Sequence, residues 1–304
     1  MLSQDLNRYV NLRRSLGFRF GIQNSLLRNF VAFAESGGDE FVRIDRVLDW
    51  AARAPSPASS RIRLLTVRRF ALAMQAEDIR YEVPAVDAVG RATFQRRSPH
   101  IYGSNEITGL MGAAAQLKPA GSIRPLTYAI LFGLLAVTGM RISEALALRL
   151  EDVTTDGLIV RKTKFRKSRL LPIHDTTRRM LDGYLSVRLR LGNLDGALFV
   201  STTGKVPSYT TVVSIFLELV RTIGIRGKAG QPGPRIHDLR HTFAVRSLEQ
   251  CSHDRAAVAR HVVALSTYLG HTHVTDTYWY LHATPTLMER IAEAGEALHQ
   301  DHVL

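Results

Sequence analysis

The stretch Leu269–His282 reads LGHTHVTDTYWYLH and places a histidine, His271, nine residues before a tyrosine, Tyr280. A histidine and a tyrosine at this spacing also occur by chance. A tyrosine next to Tyr278 and Trp279 is more often part of an apolar core than of an active site. Taken alone, the stretch favours packing. The upstream sequence must decide whether Tyr280 is a nucleophile.

The composition is that of an ordinary globular protein with a large excess of positive charge. The 304 residues are 45% hydrophobic and 22% charged, with a net charge of +13. Residues 1–97 carry 16 arginines, no lysine and 10 acidic residues, net +6, and the remainder carries 24 basic and 17 acidic residues, net +7. This even distribution excludes a basic tail on a neutral enzyme. It predicts two basic bodies that bind a polyanion, DNA or RNA before an acidic membrane.

Cysteine content and apolar runs exclude several classes of protein. The single cysteine, Cys251, cannot form an intramolecular disulfide or a CxxC metal site, and it indicates a reducing compartment. The longest apolar run, around residues 129–137, is too short to span a bilayer, and the N-terminus lacks the apolar core of a signal peptide. We therefore expect a cytoplasmic, nucleoid-associated protein with no membrane partner.

Helical periodicity dominates the first part of the chain. Apolar stripes predict helices over residues 4–16, 26–34, 44–52 and 59–76, so residues 1–80 are expected to form a small helical domain. The last of these helices carries four clustered arginines that could neutralise DNA phosphates or read guanine edges: Arg61, Arg63, Arg68 and Arg69. A solvated helix face is the alternative reading. Residues 81–103 lack a period and contain several breakers, which predicts a linker, with Arg96 and Arg97 as further DNA-binding candidates.

Residues 104–304 are predicted to form a mainly helical second domain with one small antiparallel sheet. Helices are expected at 105–117, 125–137, 142–150, 176–190, 210–223, 237–249 and 254–269. Strands at 157–160 and 169–173 flank a basic segment and predict a hairpin with a cationic tip, whose DNA-binding candidates are Lys162, Arg166 and Lys167. A C-terminal helix is expected at 285–298, with Thr284 as its N-cap and Pro285 as its first residue.

Four short boxes follow one another in this second domain. They read TGMRISEAL at 138–146, KTKFRKSRLLPI at 162–173, HDLRHTFA at 237–244, and the opening stretch at 269–282. Together they resemble the boxes of the tyrosine recombinases, the phage integrase family, and the first domain resembles that family's helical core-binding domain. Each box is weak or moderate evidence alone, but four in the same order form a specific match. TYWYLHATP is most similar to integrases of transposons and other mobile elements, and the interval from Arg240 to His271 is longer than in many members.

The residues in these boxes suit phosphodiester chemistry. A tyrosine hydroxyl, with a pKa near ~10, is a poor nucleophile at neutral pH and needs a proton acceptor and local positive charge. Guanidinium groups remain protonated and match the charge that develops on a phosphate under attack. His237 and Arg240 lie three residues apart and would share one helical face, so both could reach a single phosphate.

The resemblance implies a role for each residue. Arg141 and Arg240 would bind the scissile phosphate, His237 would accept the proton of Tyr280, and His271 would donate a hydrogen bond to the phosphate. Counting back from the strand RLLPI places Lys164, rather than Lys162 or Lys167, on the family's catalytic lysine, the general acid for the departing 5′-oxygen. Glu144 would support Arg141, and Tyr278 is the rival of Tyr280.

A zinc site is the alternative reading of the histidines. His237 and His241 have the i, i+4 spacing of a zinc pair, and His271, His273 or His282 could complete a site. The box HDLRH, however, lacks the glutamate that a zinc hydrolase uses as its base, and an adjacent arginine would repel a metal ion. We therefore expect neither a metal nor another cofactor.

The resemblance implies strand exchange through a 3′-phosphotyrosyl intermediate, without metal or ATP. The expected partners are double-stranded DNA with specific sites and further copies of the chain, two per site and four in the synapse, with co-encoded recombinases possible. The C-terminal helix 285–298 could dock on a neighbouring copy or pack on its own domain. A type IB topoisomerase and a catalytically silent DNA-binding accessory protein are the alternative functions.

Overall fold

The computed structural model describes residues 2–90, 97–161, 168–192, 196–251 and 255–282. The chain divides into two compact units, Met1–Arg97 and Ser98–Leu304. Five predicted features lie outside the described residues or largely so: Arg96, Lys162, Lys164, the Arg166–Lys167 pair and the helix at 285–298. Among the described residues, no helix is both long and apolar enough to cross a membrane.

The first unit contains four helices in its described part: α1 (Leu2–Ser15), α2 (Gly21–Ser36), α3 (Ile44–Ala52) and α4 (Pro57–Gln75). Their apolar stripes meet in one core that includes Phe30, Trp50 and Phe70. Helix α4 begins sharply because Ser56 accepts a hydrogen bond from the backbone of Ser59 and Pro57 occupies the first helical turn.

Residues 81–90, which follow α4, pack against the helices of the first unit. Tyr81 is buried in its core, and the hydroxyl of Tyr81 donates a hydrogen bond to Asp5. Arg68 donates to the carbonyl of Pro84 at 2.9 Å, and Arg61 donates to the carbonyl of Gly90 at 3.1 Å. Residues 81–90, the first part of the predicted linker, are thus held by helix α4.

The second unit surrounds a larger core with helices and one small sheet. Its helices are α5 (Ser104–Ala115), α6 (Ile123–Thr138), α7 (Ile142–Leu146), α8 (Asp175–Arg190), α9 (Tyr209–Thr222), α10 (Asp238–Glu249), α11 (Arg255–Leu269) and α12 (Thr275–Tyr278). A 3₁₀ turn at Trp279–His282 follows α12 directly. Helix α6 is apolar on nearly every side because it runs through the middle of this core.

The sheet contains β1 (Val153–Thr154), β2 (Gly157–Val160) and β3 (Arg169–Leu171) in the order β1-β2-β3, all antiparallel. The predicted fold class, mainly helical with a small antiparallel sheet, is confirmed. Strand β1, which is only two residues long, was not predicted from the sequence. The helix predicted over 142–150 ends at Leu146 instead, and a 3₁₀ turn follows at Leu150–Asp152.

Candidate active site

The turn between α6 and α7 carries Arg141. Helix α6 ends at Gly139, whose left-handed φ of 59° suits a residue without a side chain. A Cβ at this position would lie 2.5 Å from the ring of Phe243, so any other residue would force this ring or the backbone to shift. This close approach brings the α6–α7 turn, which carries Arg141, beside α10.

Glu144 joins two arginines in a buried cluster. Its side chain, 7% exposed, accepts a 2.9 Å hydrogen bond from Arg141 and a 2.8 Å hydrogen bond from Arg169. Glu144 also accepts from the backbone N–H of Arg141 at 3.0 Å. Burial favours a raised pKa for this carboxyl, but the hydrogen bonds from Arg169 and Arg141 outweigh it and lower the pKa. The carboxylate therefore fixes Arg141 both through its main chain and through its side chain.

Arg169 was not predicted from the sequence as a site residue. This residue begins strand β3 and, besides holding Glu144, donates a 2.7 Å hydrogen bond to the carbonyl of Tyr268. Gly270 leaves room for it: a Cβ there would lie 2.8 Å from the Arg169 guanidinium. The available signal was an arginine at the first position of a predicted strand, in the same box as Lys164. Its partner lies 25 residues away, which no local pattern reveals.

Arg240 lies at the centre of the site. Its side chain is almost completely buried and donates 2.8 Å hydrogen bonds to the carbonyls of Gly139 and Leu269. It thereby ties the α6–α7 turn to the end of α11. Burial lowers the pKa of this guanidinium to about 10, although the neighbouring Tyr280, which also hydrogen-bonds to it, raises the value. Arg240 therefore remains protonated at neutral pH.

Two histidines lie near Arg240: His237 at the N-terminus of α10, and His241 within this helix. His237 occupies the N-cap position of the helix, without a capping hydrogen bond from its side chain, and keeps a solvent-exposed surface. Partial loss of hydration and then the charge of Arg240 lower its pKa. One turn later, His241 contacts the ring of His237 edge to face, with 4.9 Å between centroids. Burial and then His237 lower the pKa of His241 to about 4, so this ring is neutral at pH 7.

The opening stretch folds back onto these groups. Helix α11 ends at Leu269, and the chain turns at Gly270, with a φ of 69°, before His271. The Nδ1 atom of His271 lies 2.8 Å from the hydroxyl of Thr277, which orients the ring. Burial, then Arg240 and Arg141, lower the pKa of His271 to about 4.

The two tyrosines of the stretch differ in their surroundings. Tyr280 is 3% exposed, stacks on His271 with 6.0 Å between centroids, and contacts His241 at 5.3 Å. Tyr278 is 48% exposed. Residues two apart point to nearly opposite sides of a helical segment, and of these two tyrosines only Tyr280 lies beside Arg240.

The N-terminal arginine candidates fall into two groups. Arg61 and Arg68 bind carbonyls of residues 84–90, and Arg63 donates to the carbonyl of Trp50 at 2.8 Å while lying over its ring. Each of these three guanidinium groups therefore uses at least one N–H to bind a backbone carbonyl of the first unit. Arg69 and Arg97 are exposed.

Across the residues that the structure describes, no three His, Cys, Asp or Glu side chains are grouped as metal ligands. The histidine pair that suggested zinc, His237 and His241, meets ring to ring instead. Asp238 is buried and bound by Arg235, whose side chain approaches it at 2.7 Å.

Comparison with known proteins adds the family to this geometry. The model of the phage integrase family matches residues 103–286, which contain all four boxes. The chain belongs to the phage integrase family of tyrosine recombinases. It is 37% identical to y4rB of Sinorhizobium fredii, whose name describes an integrase/recombinase, over 98% of each chain. It is also 28% identical to the tyrosine recombinase XerD of Caulobacter vibrioides, over 82% of this chain and 79% of XerD.

Solved structures of other recombinases share the fold. The integrase of transposon Tn1549, bound to transposon right-end DNA, matches 98% of this chain and 99% of its own with a TM-score of 0.66 and 17% identity. A lambda integrase tetramer bound to a Holliday junction matches 90% of this chain and 78% of its own, with a TM-score of 0.63 and 20% identity. At these identities the likeness concerns the fold.

Removing the buried carboxylate of this tyrosine recombinase should destabilise the second unit. We expect Glu144→Ala to lower the free energy of unfolding by about 3–5 kcal/mol, because Arg169 and Arg141 lose their buried partner. Urea unfolding followed by Trp279 fluorescence in a Trp50→Phe background measures this unit alone. Glu151→Ala is the matched control, since its carboxylate is 63% exposed and should contribute only about 0–1 kcal/mol. Equal losses in the two variants would contradict the buried cluster.

The two neutral histidines should make stability depend on pH. His241 and His271 have pKa values of about 4 in the folded protein, below the ~6.5 of an unfolded chain. Between these values the unfolded chain binds more protons, so stability is complete above pH ~6.5 and declines as the pH falls towards 4. Thermal unfolding between pH 7.5 and 4.5 measures the slope. The double variant His241→Gln, His271→Gln should flatten it, and an unchanged slope would show the prediction to be wrong.

Proposed function

We propose that this protein is a site-specific DNA recombinase in which Tyr280 cleaves and rejoins DNA strands. The phenol oxygen attacks the phosphorus, His237 accepts the phenol proton, and the bond to the 5′-oxygen breaks. Lys164, by the family resemblance, returns a proton to that oxygen. The products are a 3′-phosphotyrosyl bond and a free 5′-hydroxyl, and a second 5′-hydroxyl reverses the step without ATP.

The arrangement around Tyr280 is the observation that carries this proposal. A tyrosine that only filled a core would be surrounded by aliphatic side chains. Tyr280 instead lies beside a protonated Arg240 and between two neutral histidines. Arg141 is held nearby by Glu144, and its guanidinium approaches the carbonyl of Gly270 at 3.5 Å. Guanidinium groups fixed in this way need no reorganisation when negative charge develops on a phosphate.

The neutral state of His271 fits the free enzyme. Arg240 and Arg141 repel a proton from this ring, and burial adds to the effect. A bound phosphate supplies the opposite charge and favours protonation, so His271 gains a second N–H donor when DNA arrives. In this proposal, substrate binding completes the hydrogen-bond donors around the scissile phosphate.

Mobile-element recombination is the proposed biological setting, at the nucleoid. The name of y4rB and the transposon source of the Tn1549 integrase support it. The lambda integrase tetramer on a Holliday junction supports assembly of four copies on two sites. The helix expected at 285–298, outside the described residues, is proposed to dock on a neighbouring copy.

Covalent capture tests the proposal directly. We would tile the ends of the element that carries the gene with nicked duplexes. On these duplexes the short cleaved fragment that carries the free 5′-hydroxyl diffuses away, so that the covalent intermediate cannot religate. A protein–DNA adduct on a denaturing gel is expected at one or a few positions. No adduct on any tile, with DNA binding intact, would favour the silent accessory protein. Efficient relaxation of a plasmid that lacks any site would favour a type IB topoisomerase.

A further inference from the structure

The side chain of Thr277 is a buried polar group to which the proposed cleavage reaction assigns no role. Thr277 lies on the short helix α12 and is completely buried. Its hydroxyl lies 2.8 Å from Nδ1 of His271, and among the described residues this is the hydroxyl's only hydrogen bond. The backbone N–H of Thr277 donates a 2.8 Å hydrogen bond to the carbonyl of Val274, which holds the main chain that carries this hydroxyl.

The direction of the hydrogen bond follows from what a buried hydroxyl requires. A threonine hydroxyl carries one hydrogen, and burying that hydrogen without an acceptor is unfavourable. Nδ1 of His271 is the acceptor that the described residues offer to it. The hydroxyl of Thr277 therefore donates, and Nδ1 accepts with its lone pair. Because a neutral imidazole has a single N–H, the hydrogen of His271 then lies on Nε2.

Two further contacts hold His271 in place. Its backbone N–H donates a 3.0 Å hydrogen bond to the carbonyl of Ser266, and its ring stacks on Tyr280 with 21° between the planes. Stacking fixes the plane of an imidazole, but a half-turn about the bond from Cβ to the ring keeps that plane and exchanges its two edges. Only the hydrogen bond with Thr277 distinguishes these edges, so it decides where Nε2 points.

The second nitrogen of His271, Nε2, is open to a ligand. It has no hydrogen-bond partner among the described residues and is not one of the nitrogen atoms buried without a partner, so it reaches solvent. Burial and then the charges of Arg240 and Arg141 lower the pKa of His271 to about 4. At neutral pH the ring therefore has one N–H to offer, and the tautomer decides whether this N–H is on the open nitrogen.

We propose that Thr277 is a positioning residue for strand cleavage, whose hydroxyl keeps the hydrogen of His271 on Nε2, where the ring donates it to the scissile phosphate. The inference rests on the proposed function. A hydrogen-bond donor is then present before DNA binds, without a further positive charge beside Arg240 and Arg141. When a bound phosphate favours protonation of His271, the oxygen of Thr277 accepts the new N–H at Nδ1, because a hydroxyl can accept as well as donate.

Replacing Thr277 by valine tests this role, because valine has nearly the same shape and no hydroxyl. We expect Thr277→Val to slow single-turnover cleavage of the nicked duplex by ~10-fold or more, within the roughly 10²–10³-fold loss expected for His271→Ala, which removes the donor itself. Thr277→Ser keeps the hydroxyl and should restore most of the rate. Thr275→Val is the matched control, since it makes the same change at an exposed position of α12 and should cleave like the wild type.

A double variant distinguishes positioning from a general loss of packing. If Thr277 acts only through His271, the variant Thr277→Val, His271→Ala should cleave as fast as His271→Ala alone. Independent effects of the two changes would instead multiply.

Nitrogen NMR of the DNA-free, full-length protein at neutral pH measures the tautomer directly. The ring of His271 should show a protonated Nε2 and an unprotonated Nδ1 in the wild type, and a mixture of both tautomers in Thr277→Val. The spectrum of His271→Ala identifies the signals of this ring. Thr275→Val should give the spectrum of the wild type.

Several results would overturn the inference. A hydrogen on Nδ1 of His271 in the wild type would do so, as would wild-type cleavage by Thr277→Val or a double variant much slower than His271→Ala. If adducts form but Nδ1 carries the hydrogen, the inference fails and the proposed recombinase function stands. If the wild type forms no adduct on any duplex, the proposed function and the role in cleavage fail together, and the NMR spectrum still decides whether Thr277 sets the tautomer.

Discussion

Replacing Tyr280 by phenylalanine should abolish covalent capture of DNA completely, while Tyr278→Phe should leave it near the wild-type level. The phenol oxygen of Tyr280 is the proposed nucleophile, and phenylalanine offers no atom to replace it. The ring itself is retained, so the contacts with His241 and His271 persist and the pocket remains filled. Adduct formation on the nicked duplex that captures the wild type is the measurement.

Tyr278→Phe is a close control because the same hydroxyl is removed two residues away. Tyr278 is 48% exposed, so this change should alter neither folding nor the site. DNA binding by gel shift should be similar for the wild type and both variants, which separates a loss of chemistry from a loss of substrate. An adduct that persists in Tyr280→Phe and disappears in Tyr278→Phe would reverse the assignment.

Arg240→Lys should lower the rate of strand cleavage by about 10²–10³-fold, the size expected when one fixed donor to a developing oxyanion is lost. Lysine keeps the charge, but its ammonium is a compact point charge without the planar fork of donors. It cannot bind the carbonyls of both Gly139 and Leu269 and still face Tyr280 in the same way. Single-turnover cleavage of the nicked duplex measures the effect.

Arg246→Ala separates this chemical effect from a structural one. Arg246 lies on the same helix, and its guanidinium donates a 2.6 Å hydrogen bond to the carbonyl of Tyr102, so its loss also removes a bond to the backbone. We expect it to reduce thermal stability without a comparable fall in the cleavage rate. If Arg246→Ala slows cleavage as much as Arg240→Lys does, the role of Arg240 is only to hold α10 in place.

Sequence alone predicted the helices of this protein well because each has an apolar stripe and most have clear ends. The observed α3, Ile44–Ala52, coincides with its prediction, α8 and α11 differ from theirs by one residue at one end, and α9 is shifted by one residue at both ends. The very short β1 has too few residues for a period and was missed. The resemblance of four ordered boxes identified the family, which the comparisons confirm.

Sequence also nominated His237, Arg240, His271 and Tyr280, because their residue types and order carry the resemblance. The resemblance also favoured Tyr280 over Tyr278, but only the structure shows how their surroundings differ: Tyr280 is buried against His241 and His271, and Tyr278 is half exposed. The partners of the arginines on α4 could not be predicted from the sequence either. Their positions along the helix are local, but the carbonyls that bind Arg61 and Arg68 come from residues 84–90.

The four ordered boxes, of which LGHTHVTDTYWYLH is the last, thus predicted the chemistry that we propose for this protein, and the tertiary structure decided how the side chains of these boxes are assembled. The Glu144–Arg169 pair joins segments 25 residues apart, and Arg240 reaches a carbonyl 101 residues before it. Such contacts depend on the close approach of α10 to Gly139 and of β3 to Gly270. Local sequence patterns predict helices and the order of motifs. The partner of a buried charged side chain depends on which distant segments the folded core brings together.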